Sequence, residues 1–94
     1  MDWAVLELRL RTLEQFLNKI ENAPRDKDKL TIGLEASRIS DKIIHATEPR
    51  AFSTTEYEAI ITNLEHVSLA CFMDNMQWAR QSIENIRKLS HNDT

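Results

Sequence analysis

Pro24 and Pro49 are the only prolines in this chain, and Gly33 is its only glycine. Few positions therefore stop a helix or supply a tight turn. The two prolines divide the sequence into segments that are each long enough for a helix. From Ser53 to the end there is neither a glycine nor a proline. The pattern predicts an all-α fold: a small bundle of three helices over about residues 2–22, 27–46 and 54–89. At 94 residues the whole chain, 1–94, is expected to form a single helical domain.

The first segment carries a regular seam. With Trp3 at heptad position a, Leu10 and Leu17 also fall at a, while Leu6, Leu13 and Ile20 fall at d. Glu7, Glu14 and Glu21 occupy position e, and Glu7 precedes Arg11 by four residues, the favourable order for an exposed pair. Met1, Val5 and Leu8 form a minor stripe off the seam. The seam covers fewer heptads than a free coiled coil needs, so a bundle is the better reading. A residue before proline avoids the helical region, which ends the element ahead of Pro24.

In the second segment Asp26 or Asp28 is placed to cap the helix. Ile32, Ala36, Ile39, Ile43 and Ala46 share one face, widened by Leu30 and Leu34. Gly33 interrupts this helix at a propensity cost of about 1 kcal/mol against alanine. With Ser37 and Ser40 nearby, it either lets another backbone come close or is simply tolerated.

The third segment begins with the strongest local signal in the chain. Ser53 followed by Glu56 is a capping box, and Phe52 and Tyr57 flank it as a hydrophobic staple. Acidic residues dominate up to Asp74, and Arg80, Arg87 and Lys88 follow, the order the helix dipole prefers. One continuous helix is expected, spanning roughly 54 Å. The alternative is a break near Asp74–Asn75, with Asp74 as a cap. The tail "SHNDT" is expected to fray.

Along this helix Tyr57, Ile61, Leu64, Phe72, Ala79, Ile83 and Ile86 form the expected core stripe. Ile60, Val67, Cys71 and Trp78 lie on one side of it, and Leu69, Met73 and Met76 on the other. The apolar arc through the middle is roughly 240° wide, far more than the ~100° a surface helix needs. Two shorter helices cannot easily cover it, so the third helix is expected to pack on another molecule as well; the alternative is a monomeric bundle whose third helix kinks and folds back as a fourth. Leu69, Cys71, Met73, Met76 and Trp78 are the expected interface residues, with self-association as a homodimer.

Signals for chemistry are sparse. Asp41 and His45 sit four residues apart and make at most half a metal site. Glu65 and His66 are adjacent and point about 100° apart. Cys71 has no positive neighbour to make it reactive, and His91 falls in the tail. There is no phosphate-cradling glycine loop and no zinc spacing, so no cofactor or metal is expected. A net charge of −3 without a basic face argues against nucleic acid. Asp2, Glu7, Arg9 and Arg11 interrupt the N-terminal apolar residues, which argues against a membrane span or secretory signal. A lone cysteine excludes an internal disulfide and suits the cytoplasm.

The resulting expectation is a non-enzymatic protein–protein interaction module. It would be a small cytoplasmic regulator or inhibitor that occupies a partner's surface, of the physical type of antitoxins, immunity proteins, secretion chaperones and phage inhibitors. The alternative is an oligomeric small-ligand binder with a pocket between subunits, lined by Trp78, Met73 and Arg80. A bundle enzyme using Asp41, His45 or His66 is the third reading.

Overall fold

A computed structural model describes residues 2–91. The fold is all-helical, with no strand among the described residues. The described residues form four α-helices rather than three: α1 (Trp3–Asn22), α2 (Asp26–Ala46), α3 (Thr54–Phe72) and α4 (Met76–His91). A single 3-10 turn, Pro49–Ala51, lies between α2 and α3. Each helix packs on the next, and α4 returns to lie against α1.

The helix starts follow local chemistry. The Asp2 carboxylate accepts from the Val5 N–H at 3.0 Å and caps α1. Ser53 and Glu56 form the full capping box at the start of α3. Neither Asp26 nor Asp28 caps α2. The cap position is Arg25, without a side-chain bond, and Arg25 reaches forward to Asp28 at 3.0 Å. Phe52 is buried and sets its ring edge-on against Trp3, with centroids 4.9 Å apart.

The α1 seam packs as its spacing predicts. Leu6, Leu10, Leu13, Leu17 and Ile20 are fully buried, and Trp3 is half-buried at the end of the same line. Val5 and Leu8 stay exposed, and Met1 lies outside the described residues.

On α2 the inward face is turned from the expected one. Gly33, Ala36, Ser40 and Ile43 are the buried residues; Ile32 and Ile39 are half-buried, while Leu30, Leu34 and Ala46 are exposed. The reason is close approach by α3. A β-carbon on Gly33 would sit 2.8 Å from the Cys71 carbonyl oxygen. The Ser40 hydroxyl donates to the Leu64 carbonyl at 2.6 Å, and Ser37 and Ser68 share a 2.6 Å hydrogen bond. Small residues therefore decide which face of α2 meets α3, and the larger leucines are turned outward.

The expected single C-terminal helix is broken. Residues Met73–Asn75 reverse the chain, so α4 folds back on α3. Asp74 takes a left-handed conformation, φ 55°. The Asn75 N–H donates to the Ala70 carbonyl at 2.8 Å and the Asp74 N–H to the Cys71 carbonyl at 3.3 Å, the two bonds of a Schellman ending. Asn75, not Asp74, then caps α4 by accepting from the Trp78 N–H at 3.1 Å. A straight rod of ~54 Å is replaced by a bundle whose longest dimension is 42 Å.

The break also redistributes the core. Ile60, Leu64, Val67, Ala70 and Cys71 are buried on α3, and Ala79, Ile83 and Ile86 on α4. Phe72, expected in the core stripe, is 62% exposed. The overhang that argued for association is removed, because α4 shelters a side of α3 that a straight rod leaves open. The expected fraying falls partly on residues 92–94, outside the described residues, while α4 itself runs to His91.

Candidate docking face

Two features of the surface stand out, one polar and one apolar. The polar one is a clasp between α1 and α4. Arg87 lies across the seam and reaches two carboxylates: its Nε donates to Glu7 at 3.1 Å, and its Nη1 to Glu14 at 2.8 Å. One turn and more away, Arg80 bonds Glu21 and donates to Asn18 at 2.6 Å. All three e-position glutamates of α1 are thus engaged by arginines seven residues apart on α4. That matched spacing was the signal in the sequence from which the clasp was readable.

A hollow of about 330 Å³ opens beside Arg87, lined by residues such as Trp3, Glu7, Leu10 and Ile86. It is the largest of the hollows described, yet both arginines that line it are already paired, Arg87 with Glu7 and Glu14 and Arg11 with Glu7. We read it as part of the clasp and not as a ligand site.

The Arg87 guanidinium, chiefly through its hydrogen bonds, holds the Glu14 carboxyl below its ordinary value of 4.5. A depressed acid contributes stability that is present above its unfolded value and is lost as pH falls through the native one. The melting temperature is therefore expected to fall below about pH 4.5. Glu14→Gln should make that acid limb shallower in thermal melts from pH 7 to pH ~2.5. An unchanged limb would show that Glu14 does not contribute to the linkage.

The apolar feature lies on α2 and α3. Leu30 and Phe72 line one shallow hollow together with the charged residues Asp26, Lys29 and Asp74. Phe72 and Leu69 line the next hollow along the same groove, bordered by Asp41 and Glu65. Ser37 and Ser68, hydrogen-bonded to each other, also line this second hollow. Leu34 follows Leu30 by one helical turn, and Met73 follows Phe72 in sequence. Leu30, Leu69, Phe72 and Met73 are about half exposed or more, and Leu34 somewhat less. Single exposed apolar residues are ordinary, but Leu30, Phe72 and Leu69 along two adjoining hollows with charged residues among the lining are a candidate contact surface, to which exposed Leu34 and Met73 lie close in sequence.

The expected interface residues divide accordingly. Leu69 and Met73 belong to this face. Cys71 is buried, with its carbonyl against Gly33, and burial pushes its thiol up to about 11. Met76 and Trp78 are half-buried against the core. Trp78 packs on the His66 ring at 5.2 Å and lines a separate shallow hollow with Asn75, Gln77 and Gln81. The sequence pattern places Phe72, Leu30 and Leu34 on core stripes, and the structure leaves them exposed. The small-residue run Gly33, Ser37, Ser40 was the available signal: once it faces α3, Leu30 and Leu34 must turn outward.

Among the described residues, no group of three or more His, Cys, Asp or Glu is placed to hold a metal. Asp41 and His45 are both exposed. No described helix is long and apolar enough to cross a membrane. Comparison with protein-family models, with curated proteins and with solved structures finds no match to this chain.

Proposed function

We propose that this chain is a non-enzymatic protein–protein interaction module that acts by covering a site on another protein with its α2/α3 face. The observation that carries this reading is that five of the seven exposed large apolar residues described, Leu30, Leu34, Leu69, Phe72 and Met73, belong to α2 and the C-terminal end of α3. Burying a large apolar side chain contributes roughly 1.5–3 kcal/mol. Two or three of them seated in a partner's pocket would be the centre of an interface, with Asp41, Glu65 and Lys29 at its rim setting orientation. The mechanism is steric, as expected of a small regulator or inhibitor. A second copy of the chain is one candidate partner. The single buried thiol suits a reducing, cytoplasmic setting.

The test is affinity capture from the source cell, followed by titration of the purified captured protein. Phe72→Glu and Leu69→Glu should each weaken binding at least tenfold (about 1.4 kcal/mol). Their melting curves should stay close to the unsubstituted chain, because both positions are wet in the free protein. Unaltered affinity in both variants would remove this face as the docking surface, and failure to capture any protein would remove the reading itself.

A further inference from the structure

The turn between α3 and α4 is an unusual place to end a helix. Across Met73–Asn75 there is no glycine and no proline, and the reversal depends on Asp74 at φ 55°. An L side chain occupies that region at a cost that glycine avoids. The turn is closed by four bonds: Met73 N–H to Leu69, Asp74 N–H to Cys71, Asn75 N–H to Ala70, and the Asn75 side-chain cap. If residues 73–75 became helical, the same backbone groups would be satisfied by ordinary i to i−4 bonds, and the strain at Asp74 would be relieved.

The apolar pattern runs straight through this turn. Leu69, Phe72, Met73 and Met76 are spaced i, i+3, i+4 and i+7, so in a continuous helix they form one stripe. In the folded-back subunit the stripe is interrupted, and Leu69, Phe72 and Met73 are left exposed. We propose that Met73–Asn75 is a hinge at which α3 and α4 fuse into one helix, so that two copies of this chain exchange α4.

Such an exchange keeps what α4 already makes. Arg87 meets Glu7 and Glu14 of the other copy, Arg80 meets Glu21, Asn85 meets Asn63, and Ile83 and Ile86 fill the same core. What is added is the stretch of fused helix through residues 73–75 at the two-fold axis. A three-residue connection under strain is the kind that exchanges, because a short turn has little slack with which to relax. The proposal holds whether or not a different protein also docks on the α2/α3 face.

The hinge makes opposite predictions for two substitutions at one exposed position. The full chain is unfolded in denaturant, refolded at millimolar and at micromolar concentration, and sized by chromatography with light scattering. Asp74→Ala, which favours helix and resists φ > 0, should raise the dimerisation constant at least tenfold. Asp74→Gly, which relaxes the turn and weakens a fused helix, should lower it by a similar factor. An Asp74→Ala protein that stays monomeric after concentrated refolding overturns the proposal, as does an Asp74→Gly protein that dimerises more readily.

Exchange is distinguished from face-to-face pairing by linking α1 to α4. With Cys71→Ala, the pair Glu14→Cys and Arg87→Cys is joined by a short bismaleimide. The dimer should be linked between chains and the monomer within one chain. A dimer linked within its own chains overturns the exchange. If the cysteine pair does not fold, isotope-labelled and unlabelled dimers of the Asp74→Ala chain are mixed. Exchanged dimers should trade chains only on the timescale of unfolding, and mixing within seconds overturns the hinge.

Discussion

Leu13→Ala is expected to destabilise the bundle by about 2–5 kcal/mol, and Leu30→Ala by less than about 0.5 kcal/mol. Both are leucines on apolar helical stripes. Leu13 is fully buried in the middle of α1, where the seam meets the rest of the core. Truncation there removes the transfer free energy of the lost carbons and leaves a cavity that the neighbouring helices only partly close. Leu30 is 57% exposed at the edge of the α2/α3 groove, so truncation mainly removes contact with water. A domain of this size has a net stability of the order of 5 kcal/mol. Leu13→Ala would therefore bring it near the unfolding threshold, and urea denaturation followed by circular dichroism measures the difference directly. Equal effects at the two positions would mean that the inward face of α2 has been misplaced.

Gly33→Ala is expected to lower stability by about 1–3 kcal/mol, against the usual sign for this substitution. In an exposed helix interior alanine is favoured over glycine by about 1 kcal/mol. Here the new methyl would stand 2.8 Å from the Cys71 carbonyl oxygen and 3.7 Å from its carbon. The obstacle is backbone, which cannot rotate aside as a side chain does. To make room, α2 and α3 must separate, which stretches the Ser37–Ser68 and Ser40–Leu64 hydrogen bonds at 2.6 Å. For a domain of this length each kcal/mol corresponds to roughly 4–8 °C in melting temperature. A Gly33→Ala protein that melts at or above the temperature of the unsubstituted chain would show that the two helices do not approach this closely.

These two predictions mark the division between local and non-local information in this protein. The α1 seam was legible because a heptad of large apolar residues with glutamates at e needs only its own period to declare an inward face. The same holds for the Asp2 cap and the Ser53–Glu56 capping box, which are satisfied within one turn of chain. The contact face was less legible. Leu69 and Met73 were found from the width of the apolar arc. Phe72, Leu30 and Leu34 were not, because an apolar residue beside a core stripe has the same local pattern whether it is covered or wet.

The amino-acid sequence by itself determined that the chain is helical, where α1, α2 and α3 begin to within a residue, and which side of α1 is inward. These properties follow from backbone hydrogen bonding and side-chain period within a single helix. Only the tertiary structure decided that α3 ends at Phe72, that α2 presents its small residues to α3, and that α1 and α4 are clasped by Arg80 and Arg87. Each of these is a choice between alternatives that are locally close in free energy. A left-handed Asp74 with a Schellman ending competes with three more helical residues, and the balance is tipped by burying Ala79, Ile83 and Ile86 against elements far away in the chain.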